Sequence, residues 1–419
     1  MEEWIVASKE AKERIEKGIE QNRKGSFRIF APEGATVRVK LKRHRFRFGC
    51  NLFMLDEFPD DPSKNAVYRK QFAELFNMAT LPFYWDATEP REGALRYAIG
   101  SKPCYRRPPI DLCMQYCEEN GIEPREHALC YEKFFPAWLK DRSVPEIKQH
   151  LERRMQEISE RYANRIPTIE VTNEMFWDEG TTPFYGSPDY AEFCFRLAEQ
   201  YFPHNRLCIN EWTRATWGSS GLPWCQYRLL IDDLLLRGAR IDAIGMQYHM
   251  FFRREEAFEK TRRPYDLDHD LRVMDSYAAF GMPLQITEVT IPAYTEQAED
   301  EELQADILER LYSMWFSHPM TEQIIYWNLV DGYAAFTTPG DMSGGENYYR
   351  GGLLRFDMSE KPAYKRLRHL IREVWTTDET LTVKNGCVEF RGFYGEYEVT
   401  VNGSTKVVRL DNDGAEATV

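Results

Sequence analysis

The chain has 419 residues, 43% of them hydrophobic and 14% aromatic, and a formal net charge of −13 at pH 7. That length suits one large α/β barrel with a small accessory module. The acidic balance argues against nucleic acid or an anionic membrane surface as partner, since either needs a basic face, and no apolar run is long enough to span a bilayer. The basic run Lys40-Leu-Lys-Arg-His-Arg-Phe-Arg47 alternates with apolar residues and reads as the solvated edge of a strand. The nine cysteines form no metal-binding pattern; Cys113 and Cys117 lack a second pair. Free, mostly buried thiols and a reducing, cytoplasmic location are expected. The opening Met1-Glu-Glu-Trp4 is acidic and lacks the apolar core of a signal peptide; a trimmed leader would instead imply secretion.

Residues 4–24 are charged and helix-forming. Ser26–Phe30 and Thr36–Leu41 alternate apolar and polar residues around a Pro-Glu-Gly turn, which predicts a β-hairpin. Strand-like runs then recur at roughly thirty to forty-five residues, the length of a βα unit. They fall near Phe46–Asn51, Asn77–Leu81, Ile122–Cys130, Pro167–Asn173, Arg206–Asn210, Ile241–Gln247, Pro283–Thr287 and Gln323–Asn328. Amphipathic stretches such as Val144–Ala163, Tyr190–Tyr201 and Glu301–Ser317 lie between them. This alternation predicts a closed (β/α)8 TIM barrel over residues 45–376, with a last helix running to about Trp375. The tail changes character: Leu381–Val383, Cys387–Arg391, Tyr397–Val401 and Lys406–Leu410 are short alternating strands with Asn-Gly turns at 385–386 and 402–403. Residues 1–44 and 377–419 are each too small to bury a core alone, so they are expected to combine into one small β-sandwich.

Two strands carry the chemistry. Ile169-Glu-Val-Thr-Asn-Glu174 and Leu284-Gln-Ile-Thr-Glu288 are near-continuous apolar runs that each end in a glutamate. Buried parallel strands look like this, with polar groups appearing where the strand leaves the sheet. In an α/β barrel the C-terminal strand ends hold the active site, and two opposed carboxylates are the working parts of a glycosidase. Glu174 is assigned as acid/base and Glu288 as nucleophile, with Asn173 placed to bond the sugar 2-hydroxyl. Glu211, in Ile209-Asn-Glu211, repeats the Asn-Glu ending and reads as a third carboxylate tuning the others, or as a helix cap. His127 and His249 fall in segments that should line the barrel mouth, His249 helping to hold Glu288 ionised. Trp85 and Trp327 are expected to wall the same pocket.

These segments resemble glycoside hydrolase family 10, a (β/α)8 endo-xylanase family, over most of residues 46–375. Trp85-Asp-Ala-Thr-Glu-Pro90 resembles its second-strand segment and Arg125-Glu-His127 its Arg-Gly-His. Val171-Thr-Asn-Glu174 resembles the acid/base motif and Ile286-Thr-Glu288 the nucleophile motif. Asn210-Glu211 is similar to the family's Asn-Asp, which implies a supporting role for Glu211. Gly245-Met-Gln-Tyr-His249 matches Gly-Met-Gln-x-His, bringing Gln247 in beside His249. Trp327, Asp331-Gly-Tyr333, Gly352-Leu-Leu-Arg-Phe-Asp357 and Lys361-Pro-Ala-Tyr364 resemble the C-terminal signature. The resemblance implies a retaining mechanism without a cofactor, acting on a β-linked oligo- or polysaccharide of the xylan type. The departures cluster on the glycone side: Thr80, Leu81 and Tyr84 replace Glu, Asn and Lys, Tyr131-Glu132 replaces Trp-His, and Ala335, beside Phe336, replaces a second Trp. Such changes alter which sugar binds, at about 1–3 kcal/mol per lost polar contact. The alternatives are another β-glycan, a xylo-oligosaccharide or a plant glycoside as substrate, or a carbohydrate-binding protein without catalysis.

Overall fold

The computed structural model describes residues 4–177, 182–218 and 224–419. The strands in chain order are β1 (Lys24–Phe30), β2 (Thr36–His44), β3 (Arg47–Asn51), β4 (Met78–Pro82), β5 (Glu123–His127), β6 (Thr168–Asn173), β7 (Arg206–Glu211), β8 (Ala243–His249), β9 (Leu284–Thr290) and β10 (Thr321–Tyr326). They continue in the tail with β11 (Asp378–Thr382), β12 (Cys387–Phe393), β13 (Gly395–Val401), β14 (Ser404–Leu410) and β15 (Glu416–Thr418). β3 to β10 pair in sequence order and close into a parallel barrel, with Gln323 to Tyr326 of β10 registered on Arg47 to Cys50 of β3.

Each barrel strand is followed by a helix that covers it. The helix Val144–Tyr162 illustrates the rule: Pro145 sits in its first turn, and Glu146 accepts the backbone N–H of Ser143 at 2.9 Å. Its buried face is Ile147, Leu151, Met155, Ile158 and Tyr162, at helical spacing. On the strands, one set of alternate residues (Ile169, Val171, Leu207, Ile209, Ile244, Met246) is apolar and buried. The other set, toward the barrel axis, is strongly polar and equally buried: Arg125, His127, Glu170, Asn210, Gln247 and Gln285. Of the nine cysteines, all free, seven are buried. No helix among the described residues is long and apolar enough to cross a membrane.

The chain termini correct one expectation. β1 and β2 do not pair as a hairpin. β1 lies between β12 and β15 in one sheet, while β2 lies between β11 and β13 in another, with β14 at its edge. The connection carries the chain from sheet to sheet because its own N–H groups bond to the tail: Ala31 to the Gly386 carbonyl at 3.2 Å, Gly34 to that of Val383 at 3.2 Å. The inward faces then meet, with the Phe27 and Phe390 rings of one sheet 6.0 and 5.8 Å from Tyr397 of the other. The alternation of β1 and β2 therefore marks two opposed inner faces of a sandwich rather than one shared face.

The N-terminal helix Lys9–Arg23 is capped by Ser8, whose hydroxyl accepts the Ala11 N–H at 3.0 Å. It packs on the helix Ala298–Ser317 so closely that a Cβ at Gly18 would lie 2.6 Å from the Ser317 carbonyl oxygen. Arg23 ends it by donating to the carbonyls of Phe316, His318 and Thr321, next to the start of β10.

Candidate active site

Two local irregularities in the barrel aim the carboxylates. Between β8 and β9 the register slips: Met246 faces Ile286, but Gln247 faces Glu288. β9 therefore carries one extra residue, and Thr287 and Glu288 can both serve the barrel interior instead of alternating. Both do: the Thr287 hydroxyl donates to Asn210 Oδ1 at 2.7 Å, and Asn210 Nδ2 donates to Glu288 Oε1 at 3.1 Å. β6 slips likewise against β7 between Glu170 and Thr172. At its end Glu174 takes a left-handed backbone conformation, φ 52°, and donates its N–H to the Asn210 carbonyl at 3.2 Å. A non-glycine residue held there is a strained position of the kind found at functional sites.

Asn210 is the hub. Its side-chain amide contacts Glu288 Oε1 (3.1 Å), Glu170 Oε1 (3.2 Å) and Asn173 Oδ1 (2.9 Å). Gln247 Nε2 donates to the same Asn173 oxygen at 3.1 Å, so the Asn173 oxygen is committed and its amide nitrogen is left for a ligand. His249 Nδ1 lies 2.9 Å from the Thr290 hydroxyl and Nε2 lies 3.1 Å from Glu288 Oε2. Burial pushes the His249 pKa down to about 4, so the ring is neutral at pH 7, accepts from Thr290 and donates to Glu288. His127 Nδ1 lies 2.8 Å from Glu170 Oε1, and its Nε2 lies 2.9 Å from the Tyr84 hydroxyl. Burial raises the Glu170 carboxyl, but His127 and the ion-paired Arg125 overcome it and leave the group below its ordinary value. Glu288 goes the other way: burial pushes it up, His127 opposes, and the charge of Glu174 adds to the rise. The ligand atoms of His127, Glu170 and Glu288 lie within 4.8 Å of one another. Glu170 is already held by Arg125 and Glu288 by Asn210 and His249, which makes the trio a hydrogen-bonded ion network.

Glu174 and Glu288 open into one cavity of about 940 Å³ at the C-terminal end of the barrel. Glu288 is buried at its floor; Glu174 is half-buried and accepts a hydrogen bond from the Tyr131 hydroxyl. Asn173, His127, Gln247, His249, Trp327 and Tyr84 line the same cavity. Two predicted residues do not. Trp85 opens the short helix Trp85–Thr88, which turns it outward; it is buried against Phe135, Trp138 and Arg154, and its ring N–H donates to Glu89 at 3.0 Å. Its neighbour Tyr84 faces the cavity instead. Glu211 is fully buried outside the lining and accepts the N–H groups of Trp212 (2.9 Å) and Phe176 (3.2 Å). It thereby holds the segment just after Glu174. Burial raises its pKa to about 8.

Other lining residues escape a reading of the sequence by motifs. Trp212 follows Glu211 directly and Trp177 comes three after Glu174; their rings meet at 4.7 Å and Trp177 is 53% exposed. Proximity to the strand ends is the signal that finds them. Phe53, Arg106, Arg107 and Phe134 come from connections without strand motifs and carry no such signal.

The sequence profile of Glycosyl hydrolase family 10 matches residues 44–369. The chain belongs to this family. Among its relatives, endo-1,4-beta-xylanase B of Thermotoga neapolitana is 23% identical over 364 residues, covering 83% of this chain and 95% of that protein. The anti-sigma-I factor RsgI6 of Acetivibrio thermocellus is 23% identical over 378 residues, 88% of this chain but 43% of that protein. Endo-1,4-beta-xylanase 2 of Arabidopsis thaliana is 22% identical over 88% of this chain and 31% of its own length. The chain thus spans less than half the length of several curated relatives it matches. The crystal structure of native xylanase 10B from Thermotoga maritima superposes with a TM-score of 0.60 at 21% identity, covering 79% of this chain and 96% of that one, which shows the shared barrel fold.

Proposed function

We propose that this protein hydrolyses a β-linked glycan with retention at the anomeric carbon, Glu288 acting as nucleophile and Glu174 as acid/base. The observation that carries this reading is the unequal setting of two carboxylates facing one cavity. Asn210 and the neutral His249 each donate to a separate oxygen of Glu288, which fixes its orientation and offsets part of the burial that pushes its pKa up. Glu174 sits higher on the wall, half-buried and held by the Tyr131 hydroxyl, where a leaving oxygen can reach it. In the first step Glu288 bonds to the anomeric carbon while Glu174 protonates the departing oxygen. In the second, Glu174 takes a proton from water, and that water displaces Glu288. Asn173, whose side-chain oxygen is committed to Asn210 and Gln247, offers its N–H groups to a sugar hydroxyl. No cofactor enters these steps.

Family membership and the xylanase-named relatives support a xylan-like substrate and endo action. The test is hydrolysis of aryl β-xylosides, aryl β-glucosides and a panel of β-linked oligosaccharides, with product stereochemistry followed by NMR. Glu288→Gln should remove turnover by about a thousandfold or more while leaving thermal unfolding unchanged, since it deletes the attacking group. Near-normal turnover by that variant would overturn the assignment. A second reading, carbohydrate binding without catalysis, is favoured by the rebuilt wall around Tyr84 and by a relative named as an anti-sigma-I factor. It predicts sugar binding by the unaltered protein with no turnover of any member of the panel.

A further inference from the structure

The wall of the cavity around Tyr84 contains two adjacent arginines, Arg106 and Arg107, only 3% and 7% exposed, in a protein whose net charge is −13. Neither has an ion-pairing carboxylate among the described residues. Arg106 is occupied by neutral acceptors: Nη1 donates to the Tyr333 carbonyl and Nη2 to Asn328 Oδ1 at 3.0 Å, while its Nε is buried without a partner. Arg107 donates through Nη1 to the Arg106 carbonyl at 2.9 Å. Its guanidinium stands 4.1 Å from the centre of the Tyr84 ring, 5.0 Å from Phe134 and 5.3 Å from Phe53, an aromatic cage open to the cavity. The Asp86 carboxylate favours its charge but forms no ion pair with it, and Asp86 Oδ1 is itself unpartnered.

Burying a guanidinium without a counter-charge is costly unless something supplies that charge. Ring faces offset part of the cost, but two such groups side by side repel each other. The rest of the cavity has the same sign. Arg214, Arg253, Lys260, Arg263 and Lys133 also line it, against Glu346, Glu174 and Glu288. An acidic protein that concentrates cations where its substrate binds will select an anionic one.

We propose that the sugar seated against the Tyr84 wall carries a carboxylate, and that Arg107, backed by Arg106, binds it: the substrate is a uronic-acid-bearing β-glycan. A planar carboxylate matches the two-pronged guanidinium, and the aromatic cage fixes the orientation of the fork. The inference rests on the cavity being a glycan site, and it assigns that site its substrate class.

Calorimetric binding to the Glu288→Gln protein tests it without requiring turnover. The probes are xylotriose and xylotriose bearing one glucuronic acid, on a terminal or on the internal sugar. At least one acidic probe should bind about tenfold or more tightly than xylotriose, and the preference should shrink as salt is raised. Adding Arg107→Gln should bring the preference near unity, and Arg107→Lys, which keeps charge without the fork, should leave it intermediate. Thermal unfolding checks that each variant is folded. Equal binding of acidic and neutral probes by the Glu288→Gln protein overturns the inference, whatever the arginine variants do, and so does a preference untouched by Arg107→Gln in a folded protein. If xylotriose is bound and the unaltered enzyme hydrolyses it, such a result removes only the acidic substrate; if nothing binds and nothing is hydrolysed, the glycosidase reading fails with it.

Discussion

At the scale of single residues, Asn210 does the most with the least. It is fully buried and touches no solvent, yet its amide bonds Glu288, Glu170 and Asn173, and its carbonyl takes the N–H of Glu174. Glu174, Glu288 and Asn173, which line one cavity, are thus positioned by one side chain and its own backbone. Asn210→Ala keeps the backbone bond and deletes the amide. Glu288 then loses one of its two donors while it stays buried, and the Thr287 hydroxyl loses its acceptor. Leaving buried partners unsatisfied costs about 1–3 kcal/mol, and a similar loss at the transition state lowers kcat by roughly tenfold to a hundredfold. The measurement is kcat and KM on the best oligosaccharide. A change confined to KM would mean that Asn210 serves binding alone.

At the scale of elements, the placement of Asn210 depends on how closely β7 and β8 approach. A Cβ built on Gly245 would lie 2.5 Å from Asn210 Oδ1 and 2.9 Å from the Ile209 carbonyl oxygen, closer than real atoms come. Gly245→Ala must therefore push Asn210 out of register with Glu288. Overpacking of a filled interior costs about 1–3 kcal/mol, so a lower unfolding midpoint together with reduced kcat is expected; an unchanged kcat would show that the strand absorbs the methyl group without moving Asn210. Elements also mark where sequence reasoning holds and where it stops. The barrel strands and both glutamates that face the cavity are legible because a buried parallel strand is written as an apolar run, and its polar residues mark where it ends. The β1–β2 hairpin is misread because alternation records which face is buried and says nothing of which strand lies alongside. β15 escapes notice because three residues in a polar tail, Glu416–Thr418, pair with β1 only through the fold. Trp85 and Tyr84 are adjacent, and one step along the chain decides which of them faces the cavity. Arg106 and Arg107 belong to a long connection whose path no local pattern dictates.

At the scale of the whole molecule, the terminal sheets and the barrel are joined at His44, the last residue of β2. Its ring is buried among Phe48, Phe316 and Phe393, at 5.6, 6.2 and 5.6 Å, beneath the stack of Phe316 on Trp375. Burial pushes its pKa down to about 4, as it does for His249 at the opposite end of the barrel. In the unfolded chain a histidine titrates near 6.5. At these two rings the unfolded state therefore binds more protons than the folded one between pH 6.5 and 4, and their contribution to stability falls as pH falls through that window. Each histidine contributes on the order of 3 kcal/mol at full extent. Glu211 acts in the opposite sense: with its pKa raised to about 8 it holds a proton in the folded state that the unfolded carboxyl releases near 4.5, so it favours the fold as pH drops. Glu57, Glu126, Asp270 and Glu288 are pushed up by burial and act with Glu211, so the histidine share is read as the difference between a variant and the unaltered protein. His44→Phe keeps the aromatic packing and removes one titrating ring, so between pH 7 and 4 the variant should gain up to about 3 kcal/mol of stability relative to the unaltered protein. Urea unfolding midpoints taken at intervals from pH 7 to 4 measure this directly. An identical slope in the variant and the unaltered protein would show that the ring at the joint already takes up its proton in the folded state, and that the seam between sheets and barrel is wetter than its packing implies.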